Sequence, residues 1–310
     1  MSIISDNGYI KDNKLCLNTA LVQLKWPKKL FTSMTATRMN RFTHQMFDAL
    51  AHPLQDRKLL RMFISRDLQA RYKNSWGGLF WLIVQPIIML SIYTLVFQHI
   101  LGVKWGTQAT SGVDFALNLY LGLVAFNIFA ESLQAAPTVL RANSNLIKKV
   151  RFPIRILPSI PVGLALCDAA FGLIIWLVIY VIVLGLPPLT ALYLPIVLLP
   201  LILFVMGLSW MIASLSAYMR DITQIVRFAV TGLLFLSPIF FPLQSMPADL
   251  QAILSFNPLA IEIEMLRGVM IAGIAPSWAS YLGFLGFSLL TYFAGYYWFE
   301  LTSDGFVDVL

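Results

Sequence analysis

Six apolar stretches, each long enough to cross a bilayer as a helix, leave this chain few architectures. A hydrocarbon core about 30 Å thick takes about 20 helical residues rising about 1.5 Å each. The stretches run over 79–101, 115–137, 156–184, 193–217, 222–241 and 278–299. Backbone groups in lipid find no water, so segments of this kind close their own hydrogen-bond ladders as helices. Composition agrees: 12% of the 310 residues are charged, where soluble domains carry roughly a quarter. A hydrophobic fraction of 58% and a mean hydropathy of +0.76 exceed what a soluble core of this size can hide. The predicted fold is all-α, a polytopic membrane protein with six transmembrane helices. The breaks between stretches carry turn residues, among them Pro187-Pro188 and 218–221. Pro158 and Pro161 predict a bend at the start of the third stretch rather than a split.

Orientation follows from lysine and arginine, which collect on the cytoplasmic side. Of the 22, 13 precede the first stretch. Arg141, Lys148, Lys149, Arg151 and Arg155 follow the second, and Arg220 and Arg227 flank the turn into the fifth. The opposite side receives Lys104 and Arg267. Both termini are therefore expected in the cytoplasm. The polar first 45 residues hold no apolar run of signal-peptide type, so the first span is expected to act as an uncleaved anchor. The net charge of +7 serves membrane orientation, and no nucleic acid is expected among the partners. Cys16 and Cys167 are too far apart in sequence and setting to suggest a disulfide framework, and His44, His52 and His99 lack companions at metal-ligand spacing.

Two segments are expected at the membrane without spanning it. In 54–74, Leu60, Ile64, Leu68 and Tyr72 recur every fourth residue, backed by Leu59 and Phe63, while Arg57, Lys58, Arg61, Arg66, Arg71 and Lys73 fill the other faces. That pattern suits an N-terminal amphipathic interfacial helix in the headgroup layer; an ordinary helix packed on a core is the alternative. Between spans five and six, residues 243–275 hold two short apolar runs divided by Asn257-Pro258. Each is too short to cross, and Pro258 prevents one straight helix. A re-entrant helical hairpin is expected, with Asn257 capping the second half; a plain outer loop is the alternative.

Several chemistries lack their motifs. There is no GxxxxGK[ST] loop to cradle a nucleotide phosphate, no HExxH and no GxSxG. Glu262 and Glu264, two apart, point to different sides of a helix. An enzyme is not expected, nor a catalytic, cofactor or metal site within the chain. Ion coupling needs ionisable groups in the spans, and Glu131, Asp168 and Arg227 are the candidates. Glu131 and Arg227 lie at matched depth with opposite sign, which raises the expectation of a pair.

Particular sequences add a resemblance. RDLQARYKNSWGGLFW over 66–81, Gln85-Pro86, YTLVF over 93–97, NLIKKVRFP over 145–153, Leu157-Pro158, Arg220-Asp221-Ile222, SPIFFP over 237–242 and FNPL over 256–259 occur in register along the spans. With Glu264, Arg267-Gly268 and the tail FVDVL over 306–310, they resemble the permease subunit of ABC-2 type exporters for bacterial surface polysaccharides. The likeness covers about 54–310; the long N-terminus and Asn127, where an aromatic is commoner, depart from it. The resemblance implies a homodimer in the bacterial inner membrane that binds two copies of an ABC ATPase subunit, which carries ATP and Mg. The cargo it implies is a lipid-linked polysaccharide of O-antigen or capsule type. Teichoic-acid-type polymer, a small lipid or drug, and a polytopic transferase acting on lipid-linked sugars are the alternatives.

The implied parts map onto the chain as follows. Residues 1–53 form a cytoplasmic extension, 54–78 the interface helix with Arg66, Asp67, Arg71 and Tyr72, 79–301 the six-span domain, and 302–310 a cytoplasmic tail. The loop 143–155 would couple to the ATPase through Asn145, Lys148, Lys149, Arg151 and Phe152, joined by Arg220 and Asp221. Its charge also answers simply to membrane orientation. Trp81, Tyr93 and Phe97 from span one and Phe228, Phe235 and Phe240 from span five would line the channel. Aromatic faces meet sugar rings with weak, sliding contacts; each ring taken singly also suits lipid or core packing. Asn257, Pro258, Glu264 and Arg267 would belong to a gate in the hairpin.

Overall fold

The computed structural model describes residues 56–73, 80–100, 102, 112–149, 153–254 and 256–310. The extension expected over 1–53 lies outside them, as do Arg151 and Phe152. Of Tyr72, Trp81 and Lys149 only the backbone is described.

Among the described residues the regular structure is helical, without strands. Helix α1 (Arg57–Lys73) is followed by α2 (Phe80–Thr94), which continues as a π-helical turn over Leu95–Ile100. Then come α3 (Gly112–Ala142), the short α4 (Ser144–Lys149), α5 (Ser159–Leu184) and α6 (Leu194–Tyr218). Helix α7 (Ile222–Phe235) leads to the short pair α8 (Ala248–Leu254) and α9 (Pro258–Arg267). The chain ends in α10 (Trp278–Ser303) and one turn, α11 (Phe306–Val309). Three segments among the described residues are long and apolar enough to cross a membrane: Gly112–Ala142, Ile154–Leu184 and Leu189–Tyr218.

Two boundaries depart furthest from the hydropathy reading. Helix α3 runs through Pro137 to Ala142, because a single proline in a well-packed helix removes one ladder bond without ending it. On α6, Ser216 Oγ donates to the Pro137 carbonyl at 2.8 Å and anchors this turn. Conversely α7 stops at Phe235, short of the expected 241. Ser237 precedes Pro238 and is steered out of the helical region, although its neighbours are as apolar as the helix. At 14 residues, α7 spans about 21 Å.

Helix α3 is the centre of the bundle. It packs against α2, α5, α6, α7 and α9, and carries the fully buried Phe115, Leu117, Leu119, Leu121, Ile128 and Leu140. Helices α6 and α10 form the closest crossing. A Cβ built on Gly207 would lie 2.4 Å from the Thr291 carbonyl oxygen, and one on Gly295 would lie 2.1 Å from that of Gly207. Small residues of this kind let backbones touch where dispersion must hold helices together. Trp210 flanks the crossing, edge-on to Tyr292 and Tyr296 at 5.0 and 5.2 Å between ring centroids. The outward positions of α5 (Phe171, Ile174, Leu177, Val178) and α10 (Leu282, Phe287, Leu290) are exposed and apolar.

Candidate functional site: a helical platform, a capped helix pair and a charge cluster

One end of the bundle collects the basic segment after α3. Ile147, 6% exposed, seats α4 on the core, and Asn145 and Lys148 face away from it. Helix α11 packs on both α4 and α6. Its Phe306 is fully buried, edge-on to Phe299 at 5.2 Å, and Tyr218 OH donates to the Thr302 carbonyl at 2.8 Å. Arg220 and Asp221, at the turn into α7, are exposed. Arg141 donates to the Ser216 carbonyl, and Arg155 to Tyr296 OH at 3.1 Å. Two arginines of this end thus serve as internal ties, while Asn145, Lys148, Arg220 and Asp221 remain open to a partner.

Helix α1 lies against α5. Phe63 is buried and Ile64 occupies the space left by Gly163, where a Cβ would sit 2.2 Å from Ile64 Cδ1. Arg66 stacks over the Phe63 ring at 4.7 Å and bonds Asp67 at 2.8 Å. Arg57, Lys58 and Arg61 stay exposed.

Of the aromatics singled out in the sequence, four come together. Phe97 stacks on Phe240 at 4.4 Å, Tyr93 meets it edge-on at 5.5 Å, and Phe235 lies 6.4 Å away. Phe240 is 3% exposed and so acts as the hub that fastens α2 to the segment after α7. Phe228 and Phe235 are exposed, at 70% and 64%.

The α8–α9 pair is held by two side chains. Asn257 caps α9: its Oδ1 accepts from Leu259 N at 3.0 Å, and Pro258 occupies the first turn. The same amide donates to the Leu236 carbonyl at 3.0 Å and to Ser237 Oγ at 3.2 Å, tying the cap to the break after α7. Arg267, 5% exposed, donates to the carbonyls of Asn118, Pro238 and Ile239 at 3.0, 2.6 and 2.9 Å, with Glu264 at 3.5 Å. Gly122 makes room, since a Cβ there would lie 2.7 Å from Arg267 Nη2. Glu264 is partly open, whereas Glu262 is fully buried with neither carboxylate oxygen bonded among the described residues.

The ionisable groups of the spans pair differently from the expectation. Arg71 of α1 bonds Asp168 of α5 at 2.8 Å, and Glu131 of α3 stands beside Asp168. Glu131 has Asp168 and Arg71 as its charged neighbours, not Arg227, which is exposed on α7. Matched depth says nothing about which way a helix turns its side chains. A sequence separation of 97 between Arg71 and Asp168 puts this cluster beyond any local pattern.

Comparison with known proteins now adds to this geometry. Residues 58–271 match the ABC-2 type transporter family. An O-antigen export system permease protein, RfbA, of Klebsiella pneumoniae is 28% identical over 221 residues, 70% of this chain and 81% of the relative. Its namesake in Myxococcus xanthus is 26% identical over 207 residues, 66% of this chain and 77% of the relative. The polysialic acid transport protein KpsM of Escherichia coli is 25% identical over 240 residues, 74% of this chain and 88% of the relative.

Proposed function

Since this chain belongs to the ABC-2 type transporter family, we propose that it is the permease subunit of an ATP-driven exporter of lipid-linked surface polysaccharide, of O-antigen or capsule type. The observation that carries this is the family match from α1 through the end of α9, joined to relatives named for O-antigen export and polysialic acid transport. In this reading two copies form the channel in the bacterial inner membrane, with six spans each and both termini in the cytoplasm. Helix α1 lies in the headgroup layer, and α8 and α9 form a re-entrant hairpin at the outer mouth. Two ABC ATPase subunits, which carry ATP and Mg, dock on the platform of α4, α11 and the turn before α7.

The platform supports that docking physically. Asn145, Lys148 and Arg220 are exposed donors on an end braced by buried Ile147 and Phe306. Closure of a docked ATPase would therefore push on α3, α6 and α7 directly, without being absorbed by a loose loop. The chain has no phosphate-binding loop of its own. The test is purification of the tagged chain from its own membranes, followed by identification of bound proteins and an ATPase assay. An ABC ATPase in equal amount, with hydrolysis lost once it is stripped away, is expected. Hydrolysis that persists in the stripped chain would refute the division of labour.

A further inference from the structure

The membrane-facing positions of this fold follow one rule on α5 and α10 and another on α3. From Val124 to Leu140 the exposed positions of α3 are Asn127, Glu131, Gln134 and Thr138, and every one is polar. All other residues of that segment are buried except Ala135, which is intermediate. Spacings of four, three and four put these side chains on one face of the helix, a track about 16 Å long. On α5 and α10 the open positions are Phe171, Ile174, Leu177, Leu290 and their like, as lipid requires. A charged or amide side chain turned into acyl chains costs about 2.5–3.5 kcal/mol at mid-span for the charge alone, so polar side chains within membranes face a partner or a watery cavity.

We propose that this stripe is a sugar-contacting rail of the transport path, along which a hydroxyl-rich polymer slides. The inference rests on the polysaccharide reading above and names residues and cargo chemistry within it. Three observations favour a polymer over lipid or a second copy of α3. The stripe offers the amides of Asn127 and Gln134, which both donate and accept, with the Glu131 carboxyl and the Thr138 hydroxyl, whose own proton goes to the Ala135 carbonyl, as further acceptors for sugar hydroxyls. It adjoins the Glu131–Asp168–Arg71 cluster, whose Arg71 is 46% exposed and therefore remains wet while paired. It also stands on the helix against which α7 packs, and α7 exposes Gln224, Arg227 and Thr231 together with Phe228. Exposed polar and aromatic groups thus occur on neighbouring helices, and mixed surfaces of that kind suit sugar rings.

The experiment uses the full chain in its own membranes with its partners present. Cys16 and Cys167 are changed to Ser, and single variants Asn127→Cys, Gln134→Cys and Thr138→Cys are compared with Ile174→Cys and Leu290→Cys. A charged, water-borne methanethiosulfonate reagent should modify the three stripe positions at least tenfold faster than the two references. Gln134→Leu and Asn127→Leu should lower polymer export at least fivefold while ATPase co-purification stays normal, with Gln134→Asn largely restoring it. Labelling no faster than the references overturns the rail, as does direct oxidative cross-linking of Asn127→Cys between two copies in place of labelling. Fast labelling with unchanged export by both Leu variants overturns the sugar contact. Labelling needs no knowledge of the cargo, so a chain that exports no polymer would sink the functional reading while the stripe is still judged.

Discussion

Arg267 shows how one side chain can set a local architecture. Its guanidinium gathers carbonyls from the start of α3 and from both residues after the break at Ser237, a fork geometry that a lysine ammonium cannot reproduce. Arg267→Lys should therefore lose at least two charge-assisted bonds, at about 1.5–3 kcal/mol each. A detergent melting curve that matches the wild type would contradict this. Asn257 separates its two roles by chemistry. Asn257→Asp keeps the cap acceptor but loses the donors to Leu236 and Ser237, whereas Asn257→Ala loses both. The expected order of thermal midpoints is wild type, then Asp, then Ala, with the cap alone worth about 1 kcal/mol; equal midpoints for Asp and Ala would show that the cap contributes nothing.

At the scale of elements, the α6–α10 crossing and the α4 platform carry the predictions. Gly295→Ala must push two backbones apart, because the added methyl meets the Gly207 carbonyl and no flexible side chain can yield. Overpacking of this type costs about 1–3 kcal/mol, and the variant should melt earlier than Gly283→Ala, whose Cβ meets nothing. Equal melting of the two would mean that the helices cross farther apart. In the basic segment that α4 opens, replacing Lys148, Lys149 and Arg151 together with Ala should weaken ATPase capture while insertion stays intact, since ample basic charge precedes α2. Normal capture and export by the triple variant would remove α4 from the coupling surface. These elements differ in how far sequence exposed them. Hydropathy located α5 and α6 within a residue or so at most ends, because a long apolar run has one solution in lipid. It misplaced the ends of α3 and α7, because proline acts through backbone geometry that hydropathy does not weigh. Asn257 was legible as a cap from its place before Pro258. The Arg71–Asp168–Glu131 cluster was not, because its members meet only through tertiary packing.

For the whole molecule, the account joins an all-helical bundle, an open basic platform and a polar track on the central helix to the family's transport role. Chain orientation is its most general consequence. A fluorescent protein fused after Leu310 should mature and glow, and alkaline phosphatase at the same place should be inactive; the reverse pattern would invert every assignment of platform and mouth. The most direct test of the central claim is the location of polymer in cells that lack this chain. Deleting its gene should remove the polysaccharide from the surface while lipid-linked polymer builds up on the cytoplasmic side of the inner membrane, and restoring the chain should reverse both. Surface polysaccharide that persists at wild-type level, with no internal accumulation, would contradict the account.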